Sequence, residues 1–521
     1  MRKFVFVSIA IIALIVVAIS VFSDNTYFPP KELLLKGKFA NKPGKVVDHS
    51  KFTLLQKDFE RPQDVTKACI TCHNGRHTEV MATNHWNWER PIYTKEHGIS
   101  YLGKKNVINN FCIGTQTNVK SCAKCHIGYD MTEDGSSFKD SSNVDCLVCH
   151  DQTTEYIKGA NLAGNPAPSV NLTKVAQSVG IPTRDNCGVC HFYGGGGNNI
   201  KHGDLDNTMF HPNRKIDIHM DEAGPNLVCV DCHKTEKHEI GGKLYSIATE
   251  NTKRIYCEDC HTSTPHSEEV INEHTVKVAC QTCHIPIYSK GTSTNLYWDW
   301  ETAGDLRDGK PFMEEDSLGN HIYKSIKGSF TYGKNLKPDY IWFNGTAEHY
   351  LLGDKVEDTT QAVLLNPLNG SYDDPYSKII PVKIHITNQP YDPGTKLIIQ
   401  PHLYSDKKGD GAYWKDFNWD DACRVGMERI GLPYSGSYTF IKTKMYWPIN
   451  HQVAPKDKAL QCTDCHSREN SRLEGLTGFY MPGRGFNSWI DTLGIMIIIL
   501  SFLGVLAHGT LRFYFAKKNK L

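Results

Sequence analysis

The sequence carries almost no net charge. Its 521 residues include 58 lysines and arginines against 57 aspartates and glutamates, which leaves a formal charge of +1. Binding to nucleic acid phosphates needs an excess of positive charge, and steering of anions by the field of the whole protein needs a similar imbalance. The composition therefore gives no reason to expect nucleic acid as a partner.

Long apolar runs occur only near the two ends of the sequence. The first extends from Phe4 to Phe22 behind Arg2 and Lys3, close to the roughly 20 residues that span a bilayer. A signal-peptide core is shorter, about 7–15 residues, and Ala18 to Ser20 is a poor cleavage site. We therefore expect residues 1–23 to form an uncleaved signal anchor, with a cleaved signal peptide as the alternative.

The second apolar run covers about Trp489 to Leu511 and is followed by Arg512, Lys517, Lys518 and Lys520. Basic residues next to a membrane span mark its cytoplasmic side. The run predicts a transmembrane helix in the inner membrane, with the C-terminus in the cytoplasm and the bulk of the chain in the periplasm. A buried core helix is the alternative, but the length and the basic flank argue against it.

Cysteine is scarce outside one repeated phrase. Of the 18 cysteines, 16 lie in eight copies of Cys-x-x-Cys-His, and only Cys112 and Cys423 remain. This phrase is the attachment signature of c-type haem, in which two thiols bond the porphyrin and the histidine binds its iron. Zinc sites join cysteine pairs without requiring a trailing histidine, and disulfides would be the other interpretation of an even count. The trailing histidine of every copy favours eight covalently bound c-type haems.

The motif residues follow directly from the spacing. The attachment cysteines are Cys69 and Cys72, Cys122 and Cys125, Cys146 and Cys149, Cys187 and Cys190, Cys229 and Cys232, Cys257 and Cys260, Cys280 and Cys283, and Cys462 and Cys465. The proximal iron ligands are His73, His126, His150, His191, His233, His261, His284 and His466.

The distribution of motifs divides the chain. We predict an N-terminal extended segment (24–68), a seven-haem domain (69–284), a haem-free cap of short strands and helices (285–461), an eighth haem segment (462–488), the C-terminal span (489–511) and a basic tail (512–521). No periodic helical pattern runs through the seven-haem domain. We therefore expect a mainly α fold with much irregular loop, namely a multihaem cytochrome c array with a cap and terminal transmembrane helices.

Within the cap, local patterns predict individual elements. The β-branched stretches Ile379 to Ile386 and Lys396 to Ile399 predict strands, and Asn388 to Gly394 between them predicts a turn. Asp420 to Ile430 predicts a helix.

Sixteen histidines remain outside the motifs, enough to give every iron a second ligand. An iron with two protein ligands transfers electrons, whereas an iron with a weak or missing second ligand can bind substrate. The candidate distal ligands are His85, His202, His219, His238, His266, His274 and His451, while His49, His321, His349, His385 and His402 are weaker candidates.

The fourth motif is followed by Gly194 to Gly197 and by Lys201-His202-Gly203-Asp204. Together with Asn109 to Cys112, His219-Met220-Asp221, Val278 to His284, Gln389 to Asp392, Gly431 to Tyr434 and Val453 to Leu460, this stretch resembles the octahaem tetrathionate reductase family. The match covers most of the chain between the two apolar runs. The family is related in haem arrangement to hydroxylamine oxidoreductases and multihaem nitrite reductases.

The resemblance implies a particular reactive haem. In the family one haem carries a lysine as distal ligand, and chemistry takes place there. By position this haem is the second one, held by Cys122, Cys125 and His126, the lysine is Lys201, and a nearby active-site thiol is Cys112. A lysine binds iron only as the free amine, so its reference pKa of about 10.4 must be lowered, which burial and a bound cation both do. On the residues alone, a solvated lysine in a glycine loop is the better interpretation of Lys201, and a free cysteine such as Cys112 is more often a small buried side chain.

These observations predict a periplasmic multihaem oxidoreductase that is anchored to the membrane. Electrons from the quinol pool would reach it through a quinol-oxidising membrane cytochrome or soluble periplasmic cytochromes. The implied substrates are tetrathionate, nitrite and hydroxylamine. A non-catalytic electron-transfer conduit between a quinol oxidase and periplasmic acceptors is the alternative. Because only 22 residues separate His466 from Trp489, the eighth haem is expected near the membrane.

Overall fold

Helices and strands occupy different parts of the chain. The computed structural model describes residues 47–110, 114–242, 253–485 and 487–518. The predicted anchor in residues 1–23 and the candidate thiol of Cys112 therefore lie outside the described residues.

Most helices are short because they are built on the haem motifs. Residues three apart share a helix face, so a single turn suffices to present both thiols of a motif to one side. The α-helices are α1 (Pro62–Cys72), α2 (Arg76–Met81), α3 (Val119–Cys122), α4 (Leu147–His150), α5 (Leu172–Gln177), α6 (Arg184–His191), α7 (Cys229–Cys232), α8 (Glu269–His274), α9 (Cys280–His284), α10 (Tyr413–Asp416), α11 (Trp419–Arg429), α12 (Cys462–Cys465) and α13 (Ser488–Lys518). The 3₁₀ helices are His49–Lys51, Thr53–Leu55, Thr115–Thr117, Ala123–Cys125, Ser136–Lys139, Ser141–Asn143, Asn207–Phe210, Cys257–Asp259 and Lys456–Lys458.

The strands are concentrated after the seventh motif. They are β1 (Arg90–Thr94), β2 (Gly98–Leu102), β3 (Thr235–Glu236), β4 (Glu239–Ile240), β5 (Thr294–Asp299), β6 (Leu306–Arg307), β7 (Lys310–Pro311), β8 (Met313–Glu315), β9 (His321–Lys324), β10 (Gly328–Gly333), β11 (Asp339–Phe343), β12 (Val363–Leu364), β13 (Lys378–Asp392), β14 (Leu397–Ile398) and β15 (Thr439–Pro448). Nine of them form one sheet in the order β12-β15-β13-β5-β10-β9-β8, with β11 and β14 also paired to β13.

The 15-residue strand β13 is the centre of this sheet. It runs antiparallel to β15 from the pair Val382–Pro448 to the pair Tyr391–Thr439, and parallel to β5 at Ile386–Tyr297. The strand prediction for 379–386 is confirmed, but the turn predicted from Asn388 is wrong up to Asp392, because pairing with β15 extends the strand and overrides the local turn signal. The helix predicted over 420–430 is confirmed as α11.

The expectation of a mainly α fold is not confirmed, since only 29% of the structure is helical. The physical reason is the haem-free part of the chain. Its aromatic and β-branched residues favour strands, and Trp298, Trp300, Met445 and Trp447 bury their side chains in the largest apolar core, which lies against the sheet. A second core packs Val65 and other residues around the first and third motifs.

Helix α13 differs from every other described helix in length and exposure. It has 31 residues and a mean hydropathy of 2.4 in its most apolar stretch, and none of that stretch is buried. Exposed apolar side chains along a helix of this length are unfavourable in water. The helix is long enough to cross a bilayer. Helix α13 is therefore a candidate membrane anchor, while the described residues contain no second helix of this kind.

Candidate haem-binding and catalytic site

Seven of the eight motif histidines face a second imidazole ring. Two imidazoles that bind one metal from opposite sides have ring centroids roughly 6 Å apart, because each nitrogen lies about 2 Å from the metal and about 1 Å from its ring centroid. The observed centroid distances are 6.0–6.5 Å. The pairs are His73 with His49, His150 with His238, His191 with His85, His233 with His451, His261 with His219, His284 with His266, and His466 with His274.

The second nitrogen of many of these rings is held by the protein. A metal-binding histidine usually donates its other ring N–H to a carbonyl or carboxylate, which leaves the first nitrogen for the metal. Nδ1 donates to a backbone carbonyl at 2.6–2.9 Å in His49, His150, His233, His274 and His466. Nδ1 of His238 donates to Glu79 at 2.8 Å, and Nδ1 of His451 donates to Asp204 at 3.1 Å. This arrangement fits axial ligation through Nε2.

The paired rings fall into two orientations. The two ring planes are nearly parallel, at 17–25°, in the pairs that contain His73, His233 and His284. They are steeply inclined, at 68–83°, in the pairs that contain His150, His191, His261 and His466. The relative orientation of axial imidazoles affects the magnetic properties of a low-spin ferric ion, so the two groups are distinguishable by spectroscopy.

His126, in the second motif, has different surroundings. Its ring contacts the rings of Trp86, Trp88 and Phe138 at centroid distances of 5.2–5.5 Å. Its Nε2 donates to the Trp86 carbonyl at 2.5 Å, while Nδ1 is buried without a hydrogen-bond partner. Burial lowers the pKa of His126 to about 3, which keeps the ring neutral, the form that binds a metal. The two ring nitrogens of His126 are therefore used differently from those of His150, His233 and His466, in which Nδ1 is hydrogen-bonded and Nε2 is left for a metal.

Lys201 lies beside the fourth motif. Its ammonium is 4.9 Å from the centroid of the Trp447 ring, and its charge acts on His191. A Cβ at Gly194 would lie only 3.2 Å from Cδ of Lys201, so the glycine loop lets the lysine side chain pass close to the backbone. The ring of the neighbouring His202 packs against Trp447 at a centroid distance of 5.2 Å, and within the described residues no motif histidine faces it.

Strand β13 forms hydrogen bonds to the loop of Lys201 and to Asn110. Lys383 is fully buried, and its Nζ donates to the carbonyls of Ile200 and Lys201 at 2.7 and 3.1 Å. Two residues along the strand, the His385 carbonyl accepts from the Asn110 side chain at 3.0 Å. Thr387 then donates to the Asn110 carbonyl at 2.7 Å. The loop of Lys201 and Asn110 are therefore both held by hydrogen bonds to five consecutive residues of one strand.

Most distal candidates face a motif other than the nearest one in sequence. His238 follows the fifth motif but faces His150 of the third, and His451 precedes the eighth motif but faces His233 of the fifth. His49, ranked lower on sequence grounds, faces His73. Its position 20 residues before Cys69, in a segment with no motif, gave no signal, because ring pairing is decided by the tertiary fold.

The solved structure of an octahaem cytochrome c from Shewanella oneidensis matches this chain with a TM-score of 0.75 and 42% identity, covering 82% of this chain and 95% of the Shewanella chain. The chain belongs to the octahaem cytochromes c.

Two further comparisons found similar proteins. The family described as bacterial cytochrome c matches residues 295–469. A protein of unassigned function from Archaeoglobus fulgidus is 24% identical over 252 residues, covering 38% of this chain and 81% of the archaeal protein. The octahaem neighbour and the family match support covalently bound c-type haem in this octahaem cytochrome.

The motifs of the octahaem cytochrome are in contact with one another. The sulfur atoms of Cys69 and Cys146 lie against each other, which joins motifs one and three. The side chain of Asn186, directly before the fourth motif, donates to the Asp151 carbonyl at 3.0 Å, directly after the third. Cys190 lies against Cys125 and Cys187 against Cys229, which joins motif four to motifs two and five, and Cys257 lies against Cys280, which joins motifs six and seven. Cys232 lies near Cys260 and Cys283 near Cys465, which places motif five beside motif six and motif seven beside motif eight.

These contacts give the octahaem cytochrome a branched order. Motifs one, three, four, five, six, seven and eight follow one another, and motif two joins at motif four. Motif two is therefore a side branch of the main series, and it joins the other motifs through motif four. Its His126 is the motif histidine that faces no second imidazole within the described residues.

Proposed function

We propose that this octahaem cytochrome is a periplasmic reductase anchored in the inner membrane. It takes electrons from the quinol pool and reduces tetrathionate, nitrite or hydroxylamine at an iron bound by His126, with Lys201 as its exchangeable sixth ligand. The observation that supports this most strongly is the contrast between His126, which faces tryptophan and phenylalanine, and the seven motif histidines that face an imidazole.

Eight haems are proposed, one on each motif. When bound, c-type haem supplies one-electron transfer at iron, and an iron with a replaceable ligand also accepts a substrate. The proposed distal ligands of the other seven sites are the histidines opposite the motif rings, namely His49, His85, His219, His238, His266, His274 and His451. His202 is less suited to this role because its ring packs on Trp447.

The proposal gives Lys201, Cys112 and the residues of β13 separate roles. Lys201 would supply the exchangeable ligand of the haem held by His126, and its amine would give way to substrate. The thiol of Cys112 contacts the substrate, whose central S–S bond would be broken with two electrons in the case of tetrathionate. Lys383 and His385 support these positions through the hydrogen bonds of β13 to the carbonyls of Ile200 and Lys201 and to Asn110.

The proposed electron input is the eighth motif. Helix α13 begins at Ser488, soon after His466, and the guanidinium of Arg468 lies 4.0 Å from the Asp491 carboxylate in its first turn. An anchor that starts this close would keep the eighth site near the membrane surface, where a quinol-oxidising partner could reach it.

The test is replacement of the lysine ligand in the haem-loaded protein. Lys201→Ala should convert one iron to high spin and abolish reduction of the true substrate with a reduced viologen as donor. Cys112→Ser should lower turnover without changing the spin state. Lys104→Ala is the matched control. Lys104 places its charge near His126 and His191, but it is not proposed as a ligand. All irons should stay low-spin in this control. An unchanged spectrum and unchanged turnover in Lys201→Ala would refute the assignment.

The alternative function is a conduit without a substrate of its own. A conduit needs neighbouring haem sites from one end of the molecule to the other. The series of neighbouring motifs from the first to the eighth favours this alternative whether or not Lys201 is an iron ligand. A conduit should show no spectral change when nitrite, hydroxylamine or cyanide is added to the oxidised protein, whereas the proposed reductase should respond at one iron.

A further inference from the structure

The fourth motif is a branch point with different electrostatic surroundings from its neighbours. It contacts motif two through Cys190, motif three through Asn186 and motif five through Cys187. Electrons that leave motif four therefore have three directions, of which only one leads to His126. What decides the direction at equilibrium is the relative reduction potential of the irons.

The third and fifth sites each have a carboxylate on the distal imidazole. Oδ2 of Asp204 accepts from Nδ1 of His451 at 3.1 Å and also from the backbone N–H groups of Asn450 and His451. The Asp204 side chain is only 2% exposed. At the third site, Glu79 accepts from Nδ1 of His238 at 2.8 Å, but its side chain is 22% exposed and its other oxygen pairs with Arg76.

The fourth site has nearby cations instead. Burial and then the charge of Lys104 lower the pKa of His85. Lys104 also places its charge near His191. A cation near an iron favours its reduced form, and salt screens this effect much less where the site is buried.

A carboxylate bound to the outer nitrogen has the opposite effect. It raises the electron donation of the imidazole, stabilises the ferric ion and so lowers the reduction potential. We propose that Asp204 and Glu79 hold the irons of His451 and His238 at lower potential than the iron of His85. Electrons delivered to the branch point are thereby retained at the fourth site and its neighbour at His126.

This inference rests on the proposed ligation and adds a reason for the branched order. Each iron takes one electron as it passes from ferric to ferrous, so two sites together hold two electrons. Cleavage of the S–S bond of tetrathionate consumes two electrons and yields two thiosulfate ions, and the electrons come from the quinol donor. The carboxylates would thus assemble the required pair of electrons next to the substrate.

The test is a potentiometric titration of the haem-loaded protein without substrate, followed by electron paramagnetic resonance. Near-parallel imidazoles give rhombic low-spin signals, and steeply inclined ones give highly anisotropic signals. Asp204→Asn should raise the potential of one rhombic component, because the rings of His233 and His451 are inclined by 24°. Glu79→Gln should raise one anisotropic component, since the rings of His150 and His238 are inclined by 72°. The potential should shift less in Glu79→Gln than in Asp204→Asn, because Glu79 is more exposed and also pairs with Arg76.

Asp217→Asn is the matched control. Oδ1 of Asp217 lies 3.7 Å from Nδ1 of His219, beyond hydrogen-bond distance, so its removal should shift the potentials less than Asp204→Asn does. Lys104→Met should lower the reduction potential of one anisotropic component, which identifies that component as the site of His85. In the unmodified protein, that component must titrate above the two carboxylate-dependent ones.

The inference is overturned if neither carboxylate variant raises a potential, or if the His85 component titrates below both of its neighbours. The unmodified protein provides this comparison even if Asp204→Asn loses the His451 ligand. Failure of the proposed function is separate, since it would appear as an unchanged spin state in Lys201→Ala while the potentials retain the expected order.

Discussion

A buried ion pair supports the backbone of His126. Nζ of Lys158 lies 3.1 Å from Asp145, with side chains 4% and 0% exposed, and it also donates to the His126 carbonyl. The hydroxyls of Tyr129 and Tyr156 donate to the two oxygens of Asp145. Every member of this network has a partner, which is the condition under which buried charge is tolerated.

Removing one member should be costly. Lys158→Met leaves the Asp145 carboxylate buried without its cation, and we expect a loss of about 3–5 kcal/mol in the free energy of unfolding. Guanidinium denaturation followed by circular dichroism measures the change. The matched control is Lys174→Met, because the pair of Lys174 with Glu155 is about half exposed and should contribute less than about 1 kcal/mol.

The double variant Lys158→Met/Asp145→Asn provides a further check, because it removes both charges. It should recover part of the lost stability. If Lys158→Met costs no more than Lys174→Met, the buried pair does not stabilise the second motif in the way we infer.

At this scale the haem attachment residues can be predicted from the sequence, because the chemistry of attachment is local and has fixed spacing. The position opposite each motif ring is not local. His85 lies 106 residues before His191, and only the fold brings the two rings to 6.2 Å. Likewise, the sequence gives no sign that Arg184 is buried or that its guanidinium donates to the carbonyls of Met220 and Leu227.

Among the elements, β13 illustrates both the success and the limit of local patterns. Its β-branched half is evident from the sequence. The half beyond Asn388 contains Pro390 and was predicted as a turn, yet it pairs with Thr439 to Lys442 of β15. The same strand carries Lys383 and His385, whose hydrogen bonds to the Lys201 loop and to Asn110 could not be anticipated, because they join residues more than 180 positions apart.

Helix α13 leads to a prediction about topology. Its last turn contains Lys517 and Lys518, and basic residues remain on the cytoplasmic side. A green fluorescent protein fused after Leu521 should therefore fluoresce, because it folds in the cytoplasm, and alkaline phosphatase fused at the same position should be inactive. The same two reporters fused after Asn487, before the helix, are the control and should behave in the opposite way. A fluorescent fusion at both positions would contradict a periplasmic haem domain.

For the whole molecule, the ring orientations predict the magnetic spectrum. Of the seven imidazole pairs in the described residues, three are nearly parallel and four are steeply inclined. Parallel planes separate the two upper orbitals of the low-spin ferric ion and give a rhombic signal. Steeply inclined planes leave these orbitals nearly equal in energy and give a signal with one very large g value.

The oxidised protein should therefore contain rhombic and highly anisotropic low-spin signals in a ratio of three to four, together with a separate signal from the iron of His126. Spin integration of the spectrum at low temperature measures this ratio. Replacing the distal ligand in His266→Met should remove one rhombic component, because its pair with His284 is inclined by 17°, and His274→Met should remove one anisotropic component, because its pair with His466 is inclined by 83°. Loss of the same class of signal in both variants would mean that the ring pairs do not correspond to the axial ligands. Individual irons could then no longer be assigned to positions in the branched order of the motifs.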